Sequence, residues 1–289
     1  MTATLLLGAG SIWYHADHID PGSGFTAWNL DPILLGAVIL GVGLYLYVIG
    51  PYRERRRLGA PLSGYRIIAF TSGVFVIFLA LASPIDSIGE HYLFSIHMVQ
   101  HLVLMFVAAP LVVMGTPPWA IRLFPYSSAI HSVTRFLTLP MVAFLASSGV
   151  FLIWHVPLFY ESALEIKLIH DFEHLTILGV GMLMWWPALS PVRALPSLSA
   201  PAQLLYFFVL PIPTSIVGAL ITFMDEPLYS AYVEAPRLWG LSALVDQEMA
   251  GLLMWVPGKL VFWAAMAVAF FRWFSDADAP DSPRLRRNL

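Results

Sequence analysis

The 289-residue chain has no cysteine, which removes disulfide frameworks, zinc ribbons and thiolate metal-chaperone motifs together. Any soft-metal chemistry is left to histidine, methionine and carboxylate. Charge is scarce too: Asp, Glu, Lys and Arg supply 11% of residues against 58% hydrophobic ones, and mean hydropathy is +0.75. A soluble domain carries about 25% charged residues. That composition excludes an ordinary soluble domain and indicates a polytopic membrane protein. Tandem repeats and long low-complexity runs are missing as well, and residues 1–13 lack the basic n-region and small-residue cleavage site of a secretory signal.

What is present is a series of long apolar runs. A helix needs about 20 residues to cross a bilayer core. Seven stretches qualify, at 29–49, 65–82, 91–114, 136–155, 169–186, 203–224 and 248–271, with Trp and Tyr marking several ends (Trp28, Tyr65, Tyr92, Trp154, Trp185, Trp186, Trp273) as interfacial anchors. The predicted fold is all-α: an outer arm over 1–28, a seven-helix membrane domain over 29–272 and a disordered cytoplasmic tail over 273–289. Twelve of the fifteen Lys and Arg fall in alternate connections and the tail, including Arg53, Arg55, Arg56, Arg57, Arg66, Arg122, Arg135 and Arg193. The positive-inside rule then predicts an outside N-terminus and a cytoplasmic C-terminus in a multi-pass bacterial plasma-membrane protein. The opposite side collects carboxylates, among them Asp31, Asp86, Glu90, Asp225 and Glu226. Most of these read as loop solvation, with cation enrichment near the histidines the sharper alternative. The outer segment 225–246, with Tyr229, Tyr232 and Trp239, reads either as a lid or as a docking surface.

Five of the nine histidines lie at the outer ends of three consecutive predicted helices: His97 and His101, His155, and His170 and His174. Residues four apart share a helix face about one turn, roughly 6 Å, from each other. Each pair therefore offers two imidazoles to one site, with His155 arriving at the same level. One such histidine alone is commonly a hydrogen-bonded packing residue; two such pairs and a third helix end point instead to one or two metal ions. Met98, Met105, Met249 and Met254 are thioether candidates for Cu(I) or simple gap-fillers, and Asp246, Gln247 and Glu248 open the seventh helix as ligands or as helix-start acids. The expected metal set is His97, His101, His155, His170 and His174 with Met98, Asp246 or Met254, holding copper, with zinc as the alternative. His91 reads as a solvated surface residue and His131 as unrelated. The His15/His18 arm, with Asp17 between, reads as a solvated linker or a metal-collecting arm. Lys259, after Pro257-Gly258, is expected to be held by backbone carbonyls loosened at that break.

Two rival chemistries are weighed. A single bis-His haem would leave the other imidazoles unexplained. His170-x-x-Glu173-His174 matches the inverted zincin pattern, in which two histidines hold zinc and the glutamate activates water. A seven-span zinc hydrolase is the enzyme reading, and a copper transporter a further alternative.

The strings His97-Met-Val-Gln-His101, Met114-Gly-Thr-Pro117, Trp154-His155-Val-Pro157, His170-Asp-Phe-Glu-His174, Trp185-Trp-Pro187 and Asp246-Gln-Glu-Met-Ala-Gly251-Leu-Leu-Met-Trp255-Val-Pro-Gly258 resemble the polytopic CtaG family of caa-type cytochrome c oxidase assembly factors. The likeness runs from about residue 30 to 272. It implies a non-enzymatic protein that helps mature a haem-copper oxidase, handles copper, and has oxidase subunits and the lipid bilayer, but no nucleic acid, as partners. The family motifs fall here on His97, His101, His155, His170, His174, Asp246, Gln247, Met254 and Trp255; Lys259, His15 and His18 lie outside them.

Overall fold

A computed structural model of the chain describes residues 28–124, 129–192 and 194–278, so the predicted arm carrying His15 and His18 lies outside the described residues. The described residues are helical throughout, without strands. In order they form α1 (Pro32–Tyr47), α2 (Arg53–Arg56), α3 (Gly64–Ala82), α4 (Pro84–His91), α5 (Phe94–Val103), α6 (Ala109–Gly115), α7 (Ala129–Leu137), α8 (Pro140–Trp154), α9 (Pro157–Glu165), α10 (Lys167–Leu189), α11 (Ala200–Val209), α12 (Pro211–Thr222), α13 (Ser230–Glu234) and α14 (Ala243–Asp278).

All seven predicted stretches are helical, but not all are spans by composition. Among the described residues five helices are long and apolar enough to cross a membrane: Pro32–Arg56, Gly64–Ala82, Phe94–Gly115, Ala200–Thr222 and Ala243–Ser275. The stretch predicted at 136–155 is broken, with α7 and α8 meeting at 75°. Pro140 opens α8, and its ring keeps the preceding Leu139 extended (φ −61°, ψ 133°). Counting that bent pair as one span gives six. The remaining stretch, α10, has 23 residues but spends its first two turns on Lys167, His170, Asp171, Glu173 and His174. The final helix also differs from expectation. It continues unbroken through Pro257 and on to Asp278, beyond the predicted tail boundary at 273. Lys259 is therefore not held at a break; its Nζ lies 4.5 Å from the centre of the Trp255 ring, a cation–π contact.

The outward faces remain apolar, as in Ile33, Ile39, Leu40, Leu205, Leu220 and Phe271, all at least 65% exposed. Such faces suit lipid. Inside, small residues bring helices close: a Cβ on Gly251 of α14 would lie 2.7 Å from the Gly218 carbonyl oxygen of α12, so this crossing needs glycine.

The two ends of the bundle differ chemically. At one, Arg53 donates to the carbonyls of Ile49 and Gly59, Arg66 to those of Met114 and Thr116, and Arg122 to that of Leu58. Guanidinium groups satisfy carbonyls that helix ends leave without intrahelical partners. The other end carries the histidines.

Candidate metal centre

His97 and His101 occupy the first two turns of α5, and His170 and His174 the first two turns of α10. On α5 the residues at 97, 100, 101 and 104 share the i, i+3, i+4, i+7 face, and all four are buried. Just past His101 the helix widens into a π-turn, Leu104–Ala108, a distortion that frequently accompanies functional sites. The Met105 carbonyl in this turn accepts from Trp185 Nε1 at 2.9 Å, tying α5 to α10.

The helices bring together two interlocking triples. Donor atoms of His97, His101 and His174 lie within 4.8 Å of one another, as do those of His97, His170 and Glu173. His97 belongs to both. Ring centres stand 4.3 Å apart for His97 and His101, 5.4 Å for His101 and His174, and 5.6 Å for His97 and His170. Glu173 Oε1 lies 3.9 Å from His97 Nε2 and 3.8 Å from His101 Nε2, and His170 Nδ1 lies 3.6 Å from Glu90 Oε1. These contacts are longer than hydrogen bonds.

Burial makes the set unusual. His97, His101, His170, Glu173 and His174 are each 6% exposed or less. Both ring nitrogens of His97 and His101, Nε2 of His174 and both carboxylate oxygens of Glu173 are buried without a hydrogen-bond partner. Each such group forfeits about 1–3 kcal/mol, and native proteins hold few of them without a reason. Lone pairs of imidazole and carboxylate suit copper or zinc, so the residues fit a metal ion. Around a tetrahedral ion with bonds of about 2.0–2.1 Å the donors sit roughly 3.3 Å apart; the separations of up to 4.8 Å close with movements of about 1.5 Å or less.

Not every predicted ligand joins. His155, the C-cap of α8, lies in neither triple. Its Nδ1 is 2.7 Å from the Phe151 carbonyl, an N–H donation that leaves the buried Nε2 with a free lone pair. Asp246, predicted as a ligand, lies in neither triple and caps a helix. Its carboxylate accepts from the amides of Phe94 (2.7 Å) and Ser95 (3.1 Å) and from the Ser95 hydroxyl, fixing the start of α5 three residues before His97. Gln247 Oε1 accepts from the Leu228 amide at 2.6 Å and Nε2 donates to the Ile221 and Glu226 carbonyls, which pins the loop between α12 and α13. Met98 and Met254 reach a different place: with Met105 they line a small cavity against His101. His91 is not merely solvated, since Nδ1 meets the Ser87 carbonyl at 3.1 Å; His131 meets the Ile121 carbonyl at 3.0 Å, in the loop after the span that carries Arg122.

The structure also adds residues. Glu173, expected only as a hydrolytic base, stands among the imidazoles; its i+3 position from His170 was the available signal. Glu90 arrives from α4, which no helical pairing in the sequence disclosed. Gly89 makes that arrival possible, because a Cβ there would lie 2.9 Å from both Cα and N of His97. Segment 225–246 covers the centre. The Tyr229 hydroxyl donates to the His155 carbonyl at 3.0 Å, Tyr232 donates to the Gly89 carbonyl at 2.8 Å, and the Tyr160 and Tyr232 hydroxyls meet at 2.9 Å. Tyr160 also packs beside His97, with ring centres 5.5 Å apart.

Comparison with known proteins adds a family to this geometry. The family model described as cytochrome c oxidase caa3 assembly factor matches residues 43–276. The chain is 27% identical over 266 residues to an uncharacterized protein of Mycobacterium bovis, covering 86% of this chain and 39% of that protein. It is 28% identical over 267 residues to an uncharacterized protein of Mycobacterium leprae, covering 84% and 39% respectively. The chain thus spans about two-fifths the length of these relatives. No solved structure matches it significantly.

Proposed function

The chain belongs to the caa3-type cytochrome c oxidase assembly factors, and from that premise we propose that it holds copper as cargo and passes it to the maturing oxidase at the outer face of a bacterial plasma membrane. One observation carries the reading: a buried set in which both ring nitrogens of His97 and His101, both carboxylate oxygens of Glu173 and Nε2 of His174 have no hydrogen-bond partner. His170 completes the second triple, and Met98 and Met254 stand beside His101 as softer donors. Copper takes imidazole readily and, as Cu(I), thioether as well. Zinc is the competing ion for the imidazole and carboxylate donors.

The proposal includes seven spans, with α10 and the bent α7–α8 pair crossing alongside the five apolar helices, the histidine end outside and the arginine end in the cytoplasm. The arginines Arg53, Arg66 and Arg122 support that orientation by the positive-inside rule. Reporter fusions near residue 59 should behave as cytoplasmic and fusions near 231 should not. The role is that of a non-enzymatic assembly factor rather than a hydrolase: Glu173 is 1% exposed and points among the imidazoles of α5, which favours a ligand over a base facing incoming substrate.

The test is to delete the gene and purify the client oxidase. The expected result is an oxidase that retains haem but is depleted in copper and activity, with rescue by the wild-type gene and none by His101→Ala. A fully metallated, fully active oxidase from the deletion strain would overturn the proposal, and altered total cellular copper would indicate a transporter instead.

A further inference from the structure

A second feature lies beside the metal centre and is not explained by it. Helix α1 is attached to the bundle at both ends and stands away in between. At the histidine end the Asn29 amide donates to the Ala82 carbonyl (2.8 Å), Asn29 Nδ2 donates to Asp86 Oδ2 (3.0 Å) and Asp31 pairs with Lys167 (3.3 Å). Toward the other end Tyr45, the one buried residue of α1, stacks on Phe70 at 3.7 Å and donates to the Gly115 carbonyl at 2.9 Å. Between these attachments α1, α3 and α10 enclose a cavity of about 470 Å³. Cavities of about 300–1,000 Å³ are the usual size for small-molecule sites.

The cavity is amphipathic along its length. Its walls are aliphatic, with Leu34, Val38, Val74, Ile77 and Leu178, while one end is built from Asp31, Asp86, Glu90, Asp171, Lys167 and Asn29 and reaches His170 and His174. An apolar sleeve with one polar end suits a tailed amphiphile rather than a compact polar solute. Charge then selects the head. Four carboxyl groups face one cation, and Lys167 is already held by Asp171 at 2.8 and 2.9 Å and by Asp31. An anionic phosphate head would meet net repulsion. Hydrogen bonding selects further: the Lys167 ammonium and the Asn29 amide are both engaged by carboxylates. This end is rich in acceptors and its one ammonium is already held, so the ligand it complements brings its own donors.

We propose that the α1–α3–α10 cavity is a binding site for a membrane quinol, its hydroxylated ring at the Asp31–Asp86–Lys167 end and its isoprenoid tail between α1 and α3. The ring's two hydroxyls donate to the carboxylate acceptors, and the tail replaces lipid chains along the aliphatic wall. Oxidation to the quinone removes both donors and weakens the fit. The site stands on the cavity itself and does not depend on the metal reading.

The test uses the full chain purified in detergent, titrated separately with decylubiquinol, the same molecule oxidised, a diacylglycerol and an anionic phospholipid, with binding read by native mass spectrometry. Quinol should bind at least tenfold more tightly than quinone and should not be displaced by equimolar diacylglycerol or phospholipid. Gly41→Phe should plug the sleeve, since a Cβ at position 41 meets nothing within 4 Å; quinol affinity should fall at least tenfold while thermal unfolding and metal content stay unchanged. Leu34→Trp is the second plug should the first not fold, and Ile39→Phe, on the 71%-exposed lipid side of α1, should leave binding intact. Equal affinity for quinol and quinone, displacement by either lipid, or undiminished binding in both plugged variants would overturn the proposal.

Discussion

Glu173 Oε1 of α10 lies 3.8 Å from Nε2 of His101 on α5, with both side chains buried and no hydrogen bond made by either. In the proposed metal reading, this carboxylate and imidazole are two donors to one ion. Glu173→Gln keeps the shape and removes the anionic donor. Copper affinity measured by competition with a chelator should fall by more than the ~10–100-fold typical of losing a supporting residue. Full retention of metal, coupled to loss of a hydrolytic activity, would move Glu173 to the role of general base.

Gly89 presses on the backbone of His97, so the smallest added side chain meets main chain rather than a yielding side-chain tip. Gly89→Ala should cost about 1–3 kcal/mol through overpacking. It should also reduce copper content, because α5 must shift where His97 sits. Thermal unfolding with metal analysis checks both, and wild-type metal content with unchanged stability would contradict the packing described.

Asp246 holds the start of α5 through the amides of Phe94 and Ser95. Asp246→Ala should destabilise the protein by about 1–2 kcal/mol, as loss of a helix cap does, while purified protein keeps wild-type metal stoichiometry. Loss of one equivalent of metal with stability intact would restore Asp246 to the ligand set.

Burial raises the Asp86 carboxyl from its ordinary 3.8 to about 6, against the lowering effect of hydrogen bonds from Asn29 and Gln100. Between these values the folded protein holds a proton that the unfolded chain has released, so stability declines as pH rises through that interval. The whole effect is roughly 3 kcal/mol at most. Asp86→Asn has no such proton to lose. Its stability relative to wild type should therefore improve from pH 4 to pH 6.5, as followed by denaturant unfolding in detergent; an identical pH profile for the two would refute this assignment.

How much of this was legible in the chain follows from which forces act locally. Helix content and the apolar runs were written in composition, because a bilayer forces every backbone amide into an internal hydrogen bond and so leaves the helix as the solution for such runs. The pairs His97/His101 and His170/His174 were legible for the same reason, since four residues is one turn in any helix. Pro140 was visible too, yet its effect on the stretch 136–155 depended on the extended conformation of Leu139, a local choice that hydropathy does not register. What tertiary structure alone decided was which partners meet across helices. Asp246 stands some 150 residues from the amides it caps, and Glu90 reaches the cluster from a short helix that carries no apolar signal. Tyr229 and Tyr232 close over the centre from a loop that the sequence left open as lid or docking surface. The cavity beside α1 has no sequence signature at all, because a gap is a property of how three helices diverge, and the side chains lining it alternate with those facing lipid on the same apolar surface. Sequence determined the helices and the donors on each; packing determined which donors share a site.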